Sequence, residues 1–145
     1  MRRLAVLALA GVLAACGLKG APIAPELVRP LAPTGLTAAS TPEGVQLTWV
    51  RPLRYSGGQR MNDLGGFIIE RASGEVGPPA YAWIGTIELT DQTRFRKERR
   101  IEWVDTNAAS GARYLYRVTA YTLDGYRSDP AGPVAVRVAP PEKGS

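Results

Sequence analysis

The sequence has no histidine and only one cysteine, Cys16, among its 145 residues. The missing histidine excludes a Ser-His-Asp or Cys-His nucleophilic arrangement and a metal site built on imidazole. A single cysteine excludes a disulfide within the chain. Beyond the first residues, no apolar run approaches the roughly 20 residues of a membrane-spanning helix. We therefore expect a protein that is not an enzyme and that holds no metal and no dissociable cofactor.

The charge of the chain is mildly basic, with 18 Lys and Arg against 13 Asp and Glu. Arg2 and Arg3 belong to the first fifteen residues, and without them 16 basic and 13 acidic residues leave a net charge near +3. A mild positive charge suits surroundings of anionic lipid and polymer.

The N-terminal residues are arranged as a targeting segment. Arg2 and Arg3 precede an apolar run from Leu4 to Leu13, which is too short to span a bilayer and typical of a signal peptide. Leu13-Ala14-Ala15-Cys16 then resembles the lipobox of bacterial lipoproteins. The resemblance implies that residues 1–15 are removed and that Cys16 carries covalent lipid. Because residue 17 is Gly rather than Asp, analogy with Gram-negative lipoproteins implies a periplasm-facing domain on the outer membrane, or on the cell membrane where no outer membrane exists.

Residues 17–33 are rich in proline, with Pro22, Pro25, Pro30 and Pro33. Proline fixes φ and removes an amide donor, so both helix and sheet are disfavoured here. We expect a semi-extended tether, residues 16–33, that holds the domain up to ~50 Å from the membrane.

The start of this tether permits a second interpretation. Cys16-Gly17-Leu18-Lys19-Gly20-Ala21-Pro22 resembles the start of the small lipoproteins that mature the lipopolysaccharide translocon. The resemblance implies docking to that translocon through Cys16, Gly17, Leu18, Lys19 and Gly20. In that family the proline follows the second glycine directly, whereas here Ala21 intervenes. A sorting preference shared by many lipoproteins would explain the same residues.

From residue 33 onward, short apolar-polar alternations are separated by turn residues. Alternation places Val45, Leu47 and Trp49 on one buried face, and it places Phe67 and Ile69 inward. Near the end of the chain, alternation puts one side of a strand together from Tyr114, Tyr116, Val118 and Ala120. The other predicted strands contain Pro33–Ala38, Phe67–Arg71, Trp83–Ile87, Ile101–Asp105, Tyr114–Tyr121 and Val134–Val138. Seven short, regularly spaced strands predict an all-β, seven-stranded antiparallel Greek-key sandwich.

Three motifs in this region resemble those of a fibronectin type III domain. They are Leu47-Thr48-Trp49, then Asp63 to Ile69, then Gly111 to Ala120. The resemblance implies a domain over residues 34–139 followed by a disordered tail, 140–145. It also implies that Trp49 is in the core and that the Tyr114 hydroxyl bonds back to the preceding loop. The stretch from Thr90 to Arg100 is longer and more basic than that family's pattern.

Five basic residues fall within seven positions of this stretch: Arg94, Arg96, Lys97, Arg99 and Arg100. One interpretation is a solvated loop whose charges keep a sheet edge from pairing with another chain. The other is an anion-binding patch for lipid A phosphates or other anionic envelope polymers. We expect no nucleic-acid partner for an exported, lipid-anchored protein.

Other candidate residues have simpler explanations. Asp124-Gly125 predicts a hairpin turn. Tyr55, Tyr121 and Tyr126 are interpreted as separate surface aromatics rather than a platform for stacking sugar. The spacing of the carboxylates Asp63, Glu70 and Asp105 does not select an acid-base pair, and two of them, Asp63 and Asp105, are interpreted as turn formers.

Together these patterns predict a lipid-anchored envelope lipoprotein, acting as a non-catalytic binding module at the periplasmic face of the outer membrane. Its expected partners are the membrane, through the anchor, and an envelope protein or anionic polymer. The alternative is an accessory or maturation factor of the lipopolysaccharide translocon that acts through its lipidated N-terminus.

Overall fold

A computed structural model describes residues 20–143 of the chain. The predicted signal peptide, the lipidation site Cys16 and the predicted docking residues Gly17, Leu18 and Lys19 lie outside the described residues. Gly20, the last residue of that predicted docking motif, is exposed.

The described residues form a two-sheet antiparallel β-sandwich. The strands are β1 (Thr34–Thr41), β2 (Gly44–Val50), β3 (Leu64–Ser73), β4 (Ala82–Glu88), β5 (Arg100–Asp105), β6 (Arg113–Thr122) and β7 (Ala131–Arg137). Two four-residue helices, α1 (Pro25–Val28) and α2 (Asp91–Arg94), lie outside the sheets. One sheet has the order β1-β2-β5 and the other β4-β3-β6-β7. The predicted seven-stranded Greek-key sandwich is confirmed.

The strand registers show which connections share an end of the sandwich. Thr34 pairs with Val50, and Val50 pairs with Arg100 in the first sheet. In the second sheet, the start of β3 pairs with the end of β6 and with the end of β4. The chain therefore enters the sandwich at the same end as the connections 51–63, 89–99 and 123–130. We call this end, formed by residues 25–33 and these three connections, the N-terminal pole.

The core lies between the sheets and follows the alternation in the sequence. Val45, Leu47 and Trp49 are fully buried, as are Phe67 and Ile69 on the facing strand. Trp49 and Phe67 meet edge to face with ring centroids 5.4 Å apart, a favoured aromatic geometry. The predicted inward positions on these strands are confirmed because a strand buried on one face repeats every two residues.

At Gly85 in β4 the backbone of one sheet lies directly against a side chain of the other. A Cβ atom at this position would lie 2.6 Å from Cζ2 of Trp103 in β5. No larger side chain fits without displacing the indole, so Trp103 packs across the core against bare backbone.

The expected hydrogen bond between the Tyr114 hydroxyl and the preceding loop is present; this arrangement is called a tyrosine corner. The amide of Ala109, in the connection before β6, donates a hydrogen bond of 3.1 Å to the Tyr114 hydroxyl. This bond fixes the connection between β5 and β6 against the strand that follows it.

Residues 25–33 do not form the semi-extended segment expected from their prolines. Pro25 begins α1, in the first turn of a helix, where a missing amide donor costs nothing. Pro30 is fully buried and forms an isolated β-bridge with Tyr55. The Leu31 amide donates to the Arg54 carbonyl at 3.0 Å, and the Ser56 amide donates to the Arg29 carbonyl at 2.8 Å. The expectation is therefore wrong for this segment, because Arg29 and Leu31, the residues on either side of Pro30, form hydrogen bonds with the 51–58 loop.

Candidate anion-binding cleft

A cleft of about 480 Å³ opens at the N-terminal pole between the connections 51–63 and 89–99. Six basic residues line it: Arg51, Arg60, Arg94, Arg96, Lys97 and Arg99. No aspartate or glutamate is among the described residues that line it. Clustered cations in a concave site raise the local concentration of anions.

Arg51 holds one wall of the cleft in place. It is only 5% exposed. Its Nη1 donates to the Thr93 carbonyl at 2.9 Å, and its Nη2 donates to the Arg96 carbonyl. The Arg51 amide also donates to the Arg99 carbonyl at 2.9 Å. The rigid guanidinium fork thus fixes the conformation of the basic connection.

The Arg51 guanidinium is not fully satisfied by the protein. Its Nε is buried and has no hydrogen-bond partner among the described residues. Burial, followed by the positive charge of Arg99, lowers the pKa of Arg51. A buried cation without a counter-charge favours the approach of an anion.

Arg94 has a structural role in the same connection. Its side chain is 8% exposed and pairs with Asp91. Its Nε and Nη2 donate to the carbonyls of Leu64 and Leu89, at 2.8 and 3.1 Å. The helix α2 begins after Thr90, whose hydroxyl accepts a hydrogen bond from the Thr93 amide. Arg94 therefore ties α2 to the start of β3 and keeps little capacity for a ligand.

The remaining predicted patch residues separate into two groups. Arg96, Lys97 and Arg99 are exposed and line the cleft. Arg100 lies outside it as the first residue of β5, where its Nε is 3.6 Å from the Glu102 carboxylate. The structure thus brings four of the five predicted basic residues to one cleft and gives Arg100 a neighbour on its own strand.

Two basic residues of the cleft, Arg51 and Arg60, were not identified from the sequence. For Arg51 a signal was present, because the inward alternation of Val45, Leu47 and Trp49 continues to residue 51. A basic residue at an inward position requires a partner at the end of the strand. For Arg60, an exposed residue in a loop rich in glycine and charge, no local pattern indicates its position.

The carboxylates considered from the sequence have separate partners. Glu70 accepts from Arg117 Nη2 at 2.6 Å. Asp63 accepts from the Tyr55 hydroxyl, and burial together with this hydrogen bond raises the pKa of Tyr55 to about 12. These contacts do not bring two of the carboxylates into a common cleft.

Asp105 links the two sheets in a buried polar cluster. Its Oδ1 accepts from the Asn107 amide at 3.1 Å, in agreement with the predicted turn role. Its Oδ2 accepts from Arg71 Nη1 and from the Tyr116 hydroxyl, each at 2.7 Å. Burial, together with the hydrogen bond to Asp105, raises the pKa of Tyr116. No local pattern indicates this cluster, since its members lie on β3, β5 and β6.

The predicted turn at Asp124-Gly125 is confirmed. The Gly125 amide donates to the Thr122 carbonyl at 2.9 Å. Its φ of 87° is a conformation that glycine adopts without strain.

Neither a membrane-spanning helix nor a metal-binding group is found in residues 20–143. No helix in this range is long and apolar enough to cross a bilayer. No cluster of three or more cysteine, aspartate or glutamate side chains in this range is placed to hold a metal ion.

Comparison with known proteins identifies the fold. No protein-family model matches the sequence, and no curated protein matches it. Among solved structures, the chain is similar to a Fn3-like protein from Clostridium thermocellum, with 23% identity, 79% of this chain and 98% of that chain covered, and a TM-score of 0.50. The fn3 domain of the human collagen alpha-1(XX) chain gives 19% identity, 81% and 92% coverage, and a TM-score of 0.51.

The same fold also occurs as one part of a longer chain. The twitchin kinase region from C. elegans matches with 17% of its length, at 18% identity over 77% of this chain and a TM-score of 0.55. The chain thus spans only about a sixth of that protein. At such identities the likeness concerns architecture, and the described domain has the fibronectin type III fold.

Proposed function

We propose that this protein is a lipid-anchored, non-catalytic binding module of the bacterial envelope, acting at the periplasmic face of the outer membrane. Its partner is an anionic component of the envelope, bound without a cofactor. The observation that carries this proposal is the cleft at the N-terminal pole, where the described lining residues include six basic side chains and no carboxylate.

The build of the cleft supports binding of an anion. Arg51 and Arg94 use their guanidinium groups on backbone carbonyls, which fixes the connection 89–99. Arg96, Lys97 and Arg99 are thereby presented on a fixed scaffold, so a ligand has less conformational entropy to remove on binding. A sandwich that presents a site on its loops is a common arrangement for recognition.

The lipobox supplies the second part of the proposal. Acyl chains on Cys16 confine the domain to a thin layer beside the membrane. Confinement raises the effective concentration of the cleft toward any envelope partner in that layer. A weak, salt-sensitive cleft is then sufficient for function.

Binding of inorganic polyphosphate to the purified protein tests the cleft. The double variant Lys97→Ser/Arg99→Ser should bind about three- to tenfold more weakly, because two exposed charge contacts are lost. The control Lys143→Ser removes a cation outside the cleft and should bind like the wild type. Equal binding by all three proteins, or no binding by the wild type, would refute an anion-binding cleft.

The anchor is tested by the variant Cys16→Ser. The wild type should carry acyl mass on residue 16 and fractionate with membranes, and the variant should do neither. A variant that stays with the membrane fraction and a wild type without acyl mass would contradict the anchor.

The alternative function, as a maturation factor of the lipopolysaccharide translocon, rests on the Cys-Gly-Leu-Lys-Gly start of the tether. A photoreactive residue at Leu18, followed by mass spectrometry of the captured molecules, separates the two proposals. Capture of the translocon would favour the alternative. Capture of lipid alone would leave residues 17–24 as a spacer and the cleft as the active part.

A further inference from the structure

Exposed apolar side chains accompany the cations at the N-terminal pole. Phe95 is 67% exposed and Leu53 is 37% exposed, and both line the cleft. Leu27 and Leu31, in the segment seated on the 51–58 loop, are also exposed. Apolar groups beside Lys and Arg form the combination that binds at the interface of an anionic bilayer.

A cleft at the opposite end of the sandwich has the opposite charge. This second cleft, of about 520 Å³, lies between the β1–β2 turn, the β5–β6 connection and the chain after β7. Its lining includes Glu43 and Glu142 and, among the described residues, no Lys or Arg. The two clefts therefore differ in charge, and an anionic surface attracts the basic cleft at the N-terminal pole more strongly than the cleft at the other end.

The entry of the chain places the same pole closest to the proposed anchor. Hydrogen bonds from residues 27–31 to the 54–57 loop hold the segment on the pole. The nine peptide units from Cys16 to Pro25 then reach at most about 30 Å, instead of the ~50 Å expected for a free tether over residues 17–33. The charge of the cleft and the short connection from Cys16 to Pro25 thus both favour an orientation with the N-terminal pole toward the membrane.

We propose that the N-terminal pole rests on the bilayer surface, with Phe95 and Leu53 at headgroup level and Arg60, Lys97 and Arg99 on the phosphates of anionic lipids. This inference rests on the proposed lipid anchor and deepens the proposed function, since it names the anionic partner as lipid headgroups. The cleft then binds the lipid headgroups and also sets the orientation of the domain on the bilayer.

The chain offers a direct test, because Cys16 is its only cysteine and the lipid occupies that thiol. The full lipidated protein is reconstituted into vesicles after Phe95→Cys or Val76→Cys, and a bimane fluorophore is attached to the new thiol. Both sites are exposed, and Val76 lies at the opposite end, in the β3–β4 connection. Quenching by nitroxide-labelled headgroups is measured in vesicles containing phosphatidylglycerol and in vesicles of phosphatidylcholine alone.

The expected result is stronger quenching at residue 95 than at residue 76 in phosphatidylglycerol vesicles, with a smaller difference in phosphatidylcholine. Adding Arg96→Ser, Lys97→Ser and Arg99→Ser should bring quenching at residue 95 down toward that at residue 76. Equal quenching at both sites in phosphatidylglycerol would overturn the inference.

The outcomes also separate this inference from the proposed function. Equal quenching by a protein that still binds polyphosphate would overturn the bilayer contact alone and indicate a soluble anionic polymer or phosphorylated protein. Loss of the protein from all vesicles would overturn the anchor and the inference together.

Discussion

Tyr116 places a hydroxyl group in the buried interior, where an unpaired polar group would cost free energy. The side chain is fully buried, and its hydroxyl donates to Asp105 at 2.7 Å. Asp105 is balanced in turn by Arg71. The cluster therefore depends on three side chains that satisfy one another across the two sheets.

Replacing Tyr116 by Phe should lower the free energy of unfolding by about 1.5 to 3 kcal/mol, because a hydrogen bond to a charged acceptor is lost in the core. Equilibrium urea denaturation measures the change. The matched control is Tyr126→Phe, at an exposed residue whose hydroxyl makes no hydrogen bond among the described residues. Similar unfolding free energies for the two variants would contradict this role of the Tyr116 hydroxyl.

The raised pKa of Tyr55 predicts that the protein loses stability in alkaline solution. Burial, followed by the hydrogen bond to Asp63, raises its pKa to about 12, whereas tyrosine in an unfolded chain titrates near 10. Between these values the folded state binds more protons than the unfolded state, so stability falls as pH rises. Its contribution is fully present below about pH 10 and is lost toward pH 12.

The variant Tyr55→Phe removes this titration. Denaturant midpoints measured from pH 8 to 12 should fall more steeply for the wild type than for the variant above about pH 10. The other tyrosines are common to both proteins and cancel in the difference. Parallel curves over the whole range would contradict the raised pKa.

At the scale of elements, the connection between β4 and β5 is shaped by arginines more than by its own helix. The helix α2 has four residues, too few for stability on its own. Arg51 from the end of β2 and Arg94 within the helix supply the hydrogen bonds that hold it. An apparently solvated basic loop is therefore held in place by the bonds of Arg51 to the carbonyls of Thr93, Arg96 and Arg99.

The variant Arg51→Met should release this connection. Backbone amides of Arg94 and Arg96 should exchange with solvent at least about tenfold faster, because local opening becomes easier, while amides within β2 and β6 change less. Hydrogen exchange followed by NMR measures both groups. Arg54→Met is the control, since the exposed Arg54 side chain donates, among the described residues, only to the Gly58 carbonyl within its own loop.

Uniform acceleration of all amides would show that Arg51 stabilises the whole domain and not the connection. Unchanged exchange at Arg94 and Arg96 would show that the loop holds its conformation without Arg51. Either result would contradict the role given to Arg51.

At the scale of the whole molecule, residues 25–33 are part of the domain that follows them. Their amides and carbonyls pair with the 54–57 loop, and Arg29 lies 3.6 Å from Asp129 in the connection 123–130. The segment thus bridges two connections of the N-terminal pole, which fixes the point at which the chain enters the domain.

Hydrogen exchange distinguishes a seated segment from a free tether. The Leu31 amide, which donates to Arg54, should exchange far more slowly than the Ile23 amide, which has no partner among the described residues. Replacing Pro30 by Gly should reduce this difference by loosening the segment. Equal exchange at residues 23 and 31 in the wild type would contradict the seated segment and support a free tether.

Much of the sandwich follows from local pattern. Alternation over five to eight residues determined which side chains of β2, β3 and β6 point inward, because neighbouring strand residues face opposite sides. Turn residues such as Asp124-Gly125 determined where strands stop. The basic character of residues 94–100 was equally visible, since charge is a property of single residues.

The cleft and the seated segment were decided by tertiary structure. Arg51 and Thr93 are 42 positions apart, and their hydrogen bond forms only after β2 and β5 pair. Pro30 meets Tyr55 only once the connection 51–63 has folded back over the pole. Side chains and backbone groups in connections find partners in distant segments, and no periodic pattern within a segment records them. The sequence by itself therefore determined the sandwich and the charge of one loop, while the fold decided that this charge surrounds a cleft beside the entry of the chain.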